Sequence, residues 1–178
     1  MHEPIQTLID DHHRIRALLG AFEGQLRQFA EAGEPDYDIL AFGVDACAEY
    51  LEALHHRKEE RLLARLRQRA PAVVAQLDSL TQQHGELGEL AHRIADEFAA
   101  VRNGTLQARA PMVEAGWRFL DSYRRHLTWE EASFFPAATR VLTAGDWRQL
   151  AAEWAHETDV ARRTPYAEFI FDSSPESA

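Results

Sequence analysis

One sequence pattern occurs twice in this chain and limits what it can fold into. One copy reads HHRKEE from His55, and the other reads HLTWEE from His126. In each copy a histidine precedes a glutamate by four residues, as His55 precedes Glu59 and His126 precedes Glu130. Residues four apart lie above one another on the same face of an α-helix. Each copy therefore predicts one imidazole and one carboxylate directed from one helix toward a common point.

Apolar residues recur at three- and four-residue spacing along most of the chain, which predicts long amphipathic helices. Three turn signals separate four such stretches, at Gly33-Glu34-Pro35-Asp36, Ala70-Pro71 and Asn103-Gly104-Thr105. The predicted helices run from about Pro4 to Ala30, Asp36 to Arg69, Ala72 to Arg102 and Pro111 to Leu142, with fraying of the third near Asp78-Ser79 as an alternative to a continuous helix. Asp36 is the expected N-cap of the second helix, and Pro136 should kink the fourth or tighten its last turns. A short fifth helix is expected from about Asp146 to Arg162.

Four long helices joined by short loops pack as an antiparallel, up-down four-helix bundle, so the predicted fold is all-α. The length of 178 residues fits one domain that can bury a core. We expect that domain to span residues 1–163, including the short C-terminal helix. Residues 164–178, which end in SSPESA, are expected to form a flexible tail.

The composition argues against several classes of partner. A net charge of −10 disfavours nucleic acid and anionic membrane surfaces as binding partners. No apolar run reaches the roughly 18 residues that a membrane-spanning helix needs. Cys47 is the only cysteine, so it cannot form an internal disulfide or a thiolate metal site. The first residues lack the features of a signal peptide, and we expect a cytoplasmic protein.

The positions of the turns predict that six polar side chains lie at one level of the bundle. In an antiparallel hairpin, residues equally far from the turn lie at the same height. His12 and the first His–Glu pair are equally far from the first turn, and that pair and His84 are equally far from the second. His84 and the second pair have their midpoint beside the third turn. The converging residues are His12, His55, Glu59, His84, His126 and Glu130.

Four imidazoles and two carboxylates are too many ligands for one tetrahedral zinc ion. They suit two metal ions that share the carboxylates, and nitrogen and oxygen ligands favour iron or manganese. Two carboxylates plus one bridging oxide or hydroxide would offset most of the charge of a diferric centre. Burying the carboxylates without metal costs free energy, so the metal-free chain should be less stable.

The order lone His, His-x-x-x-Glu-Glu, lone His, His-x-x-x-Glu-Glu on four helices resembles the hemerythrin-like (HHE cation-binding) domain. The resemblance covers about residues 5–142, and Phe134-Phe135-Pro136 is similar to the last helix of that family. It implies a four-helix bundle around an oxo- or hydroxo-bridged non-haem di-iron centre that meets O2, nitric oxide or peroxide. Manganese and zinc are the alternative metals. Carried over by position, the ligands are His12, His55, Glu59, His84, His126 and Glu130.

The chain departs from the oxygen-carrying hemerythrins at two positions. Gly88 stands where they have a second histidine, four residues after His84, and Glu130 follows His126 by four residues where they have an aspartate at five. The resulting set is more similar to bacterial iron–sulfur repair di-iron proteins and eukaryotic iron-sensing hemerythrin domains. The cysteine-bearing N-terminal segment of the repair proteins is absent. One ligand fewer leaves a coordination position open, which favours reactivity over reversible oxygen carriage.

Several alternatives remain open at this point. His13 and His56 compete with His12 and His55, because His56 also precedes a glutamate by four residues. The apolar stripes favour His12 and His55. Two neighbouring carboxylates, Glu60 and Glu131, are expected in solvent or behind the ligands. Surface or interface positions are expected for four other histidines, which are His2, His13, His56 and His156.

The two glycines that follow His84 have two interpretations. Gly85 and Gly88 allow either close helix packing or a gap through which a small molecule reaches the metals. The chemistry likewise leaves the functional class open. A di-iron enzyme of peroxidase, catalase-like or gas-reducing type competes with an iron- or oxygen-responsive interaction module and with metal storage. For an interaction module, Trp147 and Trp154 would supply the surface for a protein partner or a second copy.

Overall fold

The computed structural model describes residues 2–31, 33–45, 54–75, 77, 80–105 and 109–161, and every regular element in these ranges is helical. Cys47, the predicted tail at 164–178 and the side chain of His156 lie outside the described part. The elements are α1 (Glu3–Ala30), α2 (Tyr37–Asp45), α3 (His56–Arg69), α4 (Pro71–Val74), α5 (Leu80–Arg102), α6 (Arg109–Trp129), a π-helical turn (Glu130–Phe134), α7 (Phe135–Val141) and α8 (Ala144–Ala161).

These elements build an antiparallel four-helix bundle. Its four rods are α1, then α2 and α3 together, then α5, then α6 with the π-helical turn and α7. Helices α1 and α5 each pack against both α2 and α6, and α3 packs against α7. The predicted all-α, up-down architecture is confirmed. Residues 46–53, between α2 and α3, lie outside the described residues.

Local chemistry sets the helix ends that the sequence predicted. The Asp36 carboxylate accepts hydrogen bonds from the backbone N–H groups of Asp38 and Ile39 at 2.9 and 3.1 Å, which confirms Asp36 as the N-cap of α2. Gly104 has φ +82°, in the left-handed region that favours glycine. This conformation lets the N–H of Thr105 donate to the Ala100 carbonyl at 2.9 Å and ends α5.

The predicted third helix is divided near its start. The sequence suggested a helix from about Ala72 that could fray near Asp78-Ser79, whereas the chain forms the short α4 and begins α5 at Leu80. Asp78 and Ser79 themselves lie outside the described residues. Between α4 and α5, the N–H of Leu77 bonds the Val74 carbonyl at 2.8 Å and that of Leu80 bonds the Leu77 carbonyl at 3.2 Å. These three-residue turns bury all three apolar side chains in the core. Core burial therefore overrides helical continuity here.

The fourth rod widens before its proline. The sequence predicted a kink at Pro136, but the helix already changes to π geometry at Glu130. Proline cannot donate a backbone hydrogen bond, and its ring collides with the carbonyl four residues earlier. The wider turn moves that carbonyl away, and the N–H of Phe135 bonds the Glu130 carbonyl instead. The widened turn therefore contains both Glu130 and Glu131.

Helix α8 begins two residues before its predicted start. Thr143 and Asp146 form a reciprocal cap, in which the Thr143 N–H donates to the Asp146 carboxylate at 3.0 Å and the Asp146 N–H donates to the Thr143 hydroxyl at 3.3 Å. Trp147 and Trp154 are only 4% and 3% exposed and pack into the chain's own core. The expectation that these tryptophans supply a partner surface is therefore wrong.

Two apolar clusters fill the bundle, with a polar layer between them. One cluster contains Ile15 and Leu87, and the other contains Leu8 and Leu80. On α1 the boundary between the clusters falls around residue 12, and on α5 it falls around residue 84. The second and fourth rods change from one cluster to the other in the same way, near residues 59 and 130. The polar layer is therefore enclosed on both sides by apolar side chains.

Candidate metal centre

All six residues predicted from the sequence lie in this polar layer. Each is at most 6% exposed. Helix α1 contributes one, the second rod contributes one immediately before α3 and one within it, α5 contributes one, and α6 with the π-helical turn contributes two. They are His12, His55, Glu59, His84, His126 and Glu130. The structure therefore brings together the whole predicted set.

The side chains form two overlapping groups of potential ligand atoms. In one group the ligand atoms of two histidines and two glutamates all lie within 4.8 Å of one another, and in the other those of three histidines and one glutamate do. Glu59 belongs to both groups. The groups are His12, His55, Glu59 and Glu130, and His56, Glu59, His84 and His126.

Both glutamates direct one oxygen toward each group. Oε1 of Glu59 lies 3.4 Å from Nε2 of His55, while its Oε2 lies 3.3 Å from Nε2 of His84. Oε2 of Glu130 lies 3.3 Å from Nε2 of His12, while its Oε1 lies 3.0 Å from Nε2 of His126. A carboxylate that is shared in this way can bridge two cations.

The four histidines of the predicted set direct Nε2 inward and Nδ1 toward an oxygen outside the layer. The partners of Nδ1 are Glu131 at 2.7 Å for His12, Asp11 at 3.6 Å for His55, Glu60 at 3.4 Å for His84 and Gln83 at 3.0 Å for His126. The contacts of His12 and His126 are hydrogen bonds, and an acceptor there favours the tautomer that has its proton on Nδ1 and its lone pair on Nε2, facing the two glutamates. Nδ1 of His55 and Nδ1 of His84 make no hydrogen bond within the described residues.

The inward atoms have no hydrogen-bond partner among the described residues. This holds for Nε2 of all four histidines and for both oxygens of Glu59 and Glu130, although they lie close together. Buried polar atoms without partners cost free energy, and native proteins contain few of them. Cations placed between these atoms would satisfy all of them, so the donor set fits metal ions.

Comparison with known proteins agrees with this geometry. The family model described as the hemerythrin HHE cation-binding domain matches residues 3–138. The chain belongs to the hemerythrin HHE family. No curated protein and no solved structure matched it. Within the described residues, no helix has both the length and the apolar character required to cross a membrane.

Without metal, the carboxylates of the hemerythrin centre favour the protonated forms of His55 and His84. Burial alone would lower the pKa of both histidines, but Glu59 and Asp11 raise that of His55 to about 10. Glu130, Glu59 and Glu60 similarly raise the pKa of His84 to about 11. Burial raises the pKa values of Glu59 and Glu130, yet the facing histidines bring both below the ordinary range. Metal binding must therefore displace protons from these two imidazoles.

A buried ion pair supports His55 from behind. Lys58 donates to Oδ2 of Asp11 at 2.8 Å, and these two side chains are 5% and 2% exposed. Burial raises the pKa of Asp11, but His55 and Lys58 outweigh it and hold the carboxyl ionised. The spacing pattern did not indicate this pair. Asp11 and Lys58 each adjoin a candidate ligand in sequence, where a regular helix would direct them elsewhere.

Glu60 and Glu131 lie behind the candidate ligands, which is one of the two positions expected for them. Glu131 accepts a hydrogen bond from Arg16 at 2.9 Å while facing His12. Glu60 accepts one from the Thr81 hydroxyl at 2.9 Å while facing His84. Both carboxylates are partly exposed and stand behind the inward-facing histidines.

One expectation about the remaining histidines is wrong. His13 is exposed, as expected, but His56 is only 4% exposed. Its ring stacks on that of His84 with 3.9 Å between centroids and 7° between planes. Leu54 and His55 have π-helical geometry immediately before α3, which a regular 3.6-residue pattern does not anticipate. His2 is exposed and stacks on Trp147 at 4.6 Å.

A cleft between α5 and α6 is bounded by one of the six residues, His126. Its volume is about 540 Å³, and its wall includes His126 and Gln83, whose side chains lie 3.0 Å apart. Arg93, Arg118 and Arg125 also line it.

Gly85 is exposed, and an added Cβ there would meet nothing within 4 Å, so the close-packing interpretation of this glycine is wrong.

Proposed function

We propose that this hemerythrin domain holds two iron ions and that the centre binds or reacts with O2, peroxide or nitric oxide. One ion would lie among His12, His55 and the two shared glutamates, and the other among His84, His126 and the same glutamates. The observation that carries the proposal is that Glu59 and Glu130 each direct one oxygen toward each group.

The donor set favours iron or manganese over zinc. All six inward groups provide nitrogen or oxygen, and six donors with shared carboxylates exceed what one tetrahedral zinc ion uses. Two carboxylates leave much of the charge of two trivalent ions to be neutralised, which suits an oxide or hydroxide bridge. Manganese would accept similar ligands, so elemental analysis decides between the two metals.

The surroundings support a reactive centre. When bound, iron supplies a Lewis acid and a change of oxidation state. The two apolar clusters exclude bulk water from the polar layer. The cleft between α5 and α6 gives a small molecule a route to the edge of His126. The outer acceptors hold the imidazoles in place, so only the exogenous ligand needs to move.

Elemental analysis of protein purified without added metal is the first test. We expect two irons per chain, one for each group of ligand atoms. The iron-loaded protein, reduced and mixed separately with O2, peroxide and nitric oxide, should change its near-ultraviolet and visible absorption with at least one of them. Two stably bound irons with no response to any of the three would refute the reactivity and favour storage or sensing.

Adjacent histidines on α1 provide a matched pair of variants. His12→Ala removes a buried inward nitrogen, whereas His13→Ala changes an exposed side chain on the same helical turn. We expect His12→Ala to bind less than two irons per chain and His13→Ala to retain two. Equal metal content in the two variants would refute the assignment of His12.

A further inference from the structure

We propose that the cleft between α5 and α6 binds an aromatic compound that carries a single phosphate group. This site lies beside the polar layer, and the inference does not depend on bound metal. The cleft has a volume of about 540 Å³, which lies within the range of about 300–1,000 Å³ that is usual for small-molecule sites. Three arginines, two glutamates, two leucines and a tryptophan are among the residues that line it.

One face of α6 forms a wall of the cleft. Arg118, Ser122, Arg125 and Trp129 are spaced by four, three and four residues, so they lie along one stripe of the helix. At about 1.5 Å per residue, the stretch from Arg118 to Trp129 is roughly 16 Å long. The stripe therefore has an exposed guanidinium group at one end and a half-buried indole ring at the other.

Helix α5 brings a second guanidinium group to the Arg118 end. The two helices are antiparallel neighbours, and the 3.0 Å contact between Gln83 and His126 fixes their relative height. Arg93 follows Gln83 by ten residues, and Arg118 precedes His126 by eight. The two arginines thus differ in height by about 3 Å, which is less than one helical turn, and they flank the same end of the cleft.

These two arginines form no ion pair with a carboxylate among the described residues. Nε of Arg93 donates to the backbone carbonyl of Glu89 at 3.4 Å and not to its side chain. Elsewhere in this acidic chain an exposed arginine finds a carboxylate, as Arg69 does with Asp146 at 3.0 Å. Two guanidinium groups at one height repel each other. A phosphate group, with a charge of about −1.5 to −2, would neutralise both through paired hydrogen bonds.

The rest of the cleft suits an aromatic body with one anionic group. Leu87 and Leu90 supply apolar wall, and Trp129 supplies a ring against which another ring can stack. Glu86 and Glu89 are exposed and also line the cleft. Three arginines against two glutamates leave an excess of one positive charge, so a single phosphate group fits better than a di- or triphosphate.

Flavin mononucleotide is the main probe, because it has a fused aromatic ring, one phosphate group and a fluorescence that a stacked indole quenches. Riboflavin, which lacks only the phosphate, is its control. Phenyl phosphate and inorganic phosphate are the competitors, one with a ring and one without. Titrations use the full chain, both as purified and after treatment with a chelator. We expect flavin mononucleotide to bind at least about tenfold more tightly than riboflavin, which is the low end for charge-assisted hydrogen bonds. Phenyl phosphate should displace it at lower concentration than inorganic phosphate does.

Three arginine variants test the anionic end of the site. Arg93→Gln and Arg118→Gln each remove one charge and keep a polar side chain. We expect each to weaken the binding of flavin mononucleotide about tenfold or more and to leave that of riboflavin unchanged. Arg148→Gln removes the same charge at an exposed position of α8 outside the cleft, and it should change neither affinity.

The possible outcomes separate this site from the metal centre. Binding of neither aromatic phosphate at millimolar concentration would overturn the site, as would equal affinity for phenyl phosphate and inorganic phosphate. An equal loss of affinity in Arg148→Gln would attribute binding to general charge and would also overturn it. Binding that disappears with the metal would assign the phosphate to the metal ions instead of the cleft. Binding that survives metal removal supports the site even in a chain without iron, and two bound irons without such binding leave the metal centre standing.

Discussion

The buried pair of Asp11 and Lys58 provides the strongest quantitative test of the structure. Asp11→Asn leaves the Lys58 ammonium, 5% exposed, without its carboxylate at 2.8 Å. Removing one partner of a buried ion pair costs about 3–5 kcal/mol, because the other charge stays buried without compensation. For a chain of 150–250 residues, each kcal/mol lowers Tm by about 2–4 °C, so the expected decrease is about 6–20 °C. Denaturant and thermal unfolding of the metal-free protein measure it.

Arg14 provides the matched control. It also donates to Asp11, at 3.0 Å, but its side chain is 38% exposed. Solvent screens such a contact, so Arg14→Gln should cost at most about 1 kcal/mol. A cost for Asp11→Asn as small as that for Arg14→Gln would refute the reasoning, because it would mean that Lys58 reaches water.

A double variant separates stability from metal binding. Asp11→Leu combined with Lys58→Met replaces the pair with apolar side chains, which is often neutral or stabilising by about 1–4 kcal/mol. It also removes the acceptor beside Nδ1 of His55, whereas Asp11→Asn keeps an amide oxygen there. Loss of such an acceptor costs about 10–100-fold in metal affinity. We therefore expect the double variant to be the more stable of the two and the weaker metal binder, measured by competition with a chelator.

Two further predictions concern pH and packing. Because the folded pKa values of His55 and His84 are about 10 and 11 against 6.5 in the unfolded chain, their contribution to stability is complete below pH 6.5 and lost as pH rises toward those values. Unfolding free energies of metal-free protein across this window should fall, and those of metal-loaded protein should fall less. Gly116→Ala would place a Cβ 2.7 Å from Leu26 and should lower the free energy of unfolding by about 1–3 kcal/mol. The added Cβ of Gly24→Ala meets nothing within 4 Å, so this variant should stabilise α1 by about 0.5–1 kcal/mol. Denaturant unfolding measures both changes.

The height of the polar layer could be predicted because it depends only on helical rise and on where the chain turns. Glycine, proline and asparagine mark the first three turns clearly, so the equal spacing of His12, the first His–Glu pair, His84 and the second pair placed all six residues at one level. The start of α5 could not be predicted in this way. It depends on the burial of Val74, Leu77 and Leu80 against distant helices, and tertiary packing of this kind overrides local helix propensity.

The role of α8 was missed for a related reason. Trp147, Leu150 and Trp154 recur at helical spacing, and the same pattern fits a surface for a partner or a face for the chain's own core. Arg69 binds the Asp146 carboxylate at 3.0 Å and helps to hold α8 against α3. Only the tertiary structure shows that α1 and α3 leave an apolar face that α8 covers.

The two copies of the His-x-x-x-Glu pattern act differently because each has its wide turn at a different place. In the first copy the π-helical residues end at His55, and in the second they begin at Glu130. A π turn rotates less per residue than the roughly 100° of an α-helix, so neighbouring side chains point in more similar directions. In the first copy this brings His56 inward beside His55, and in the second it turns Glu131 toward His12. Equal spacing therefore yields an additional inward imidazole from one copy and an outer acceptor from the other.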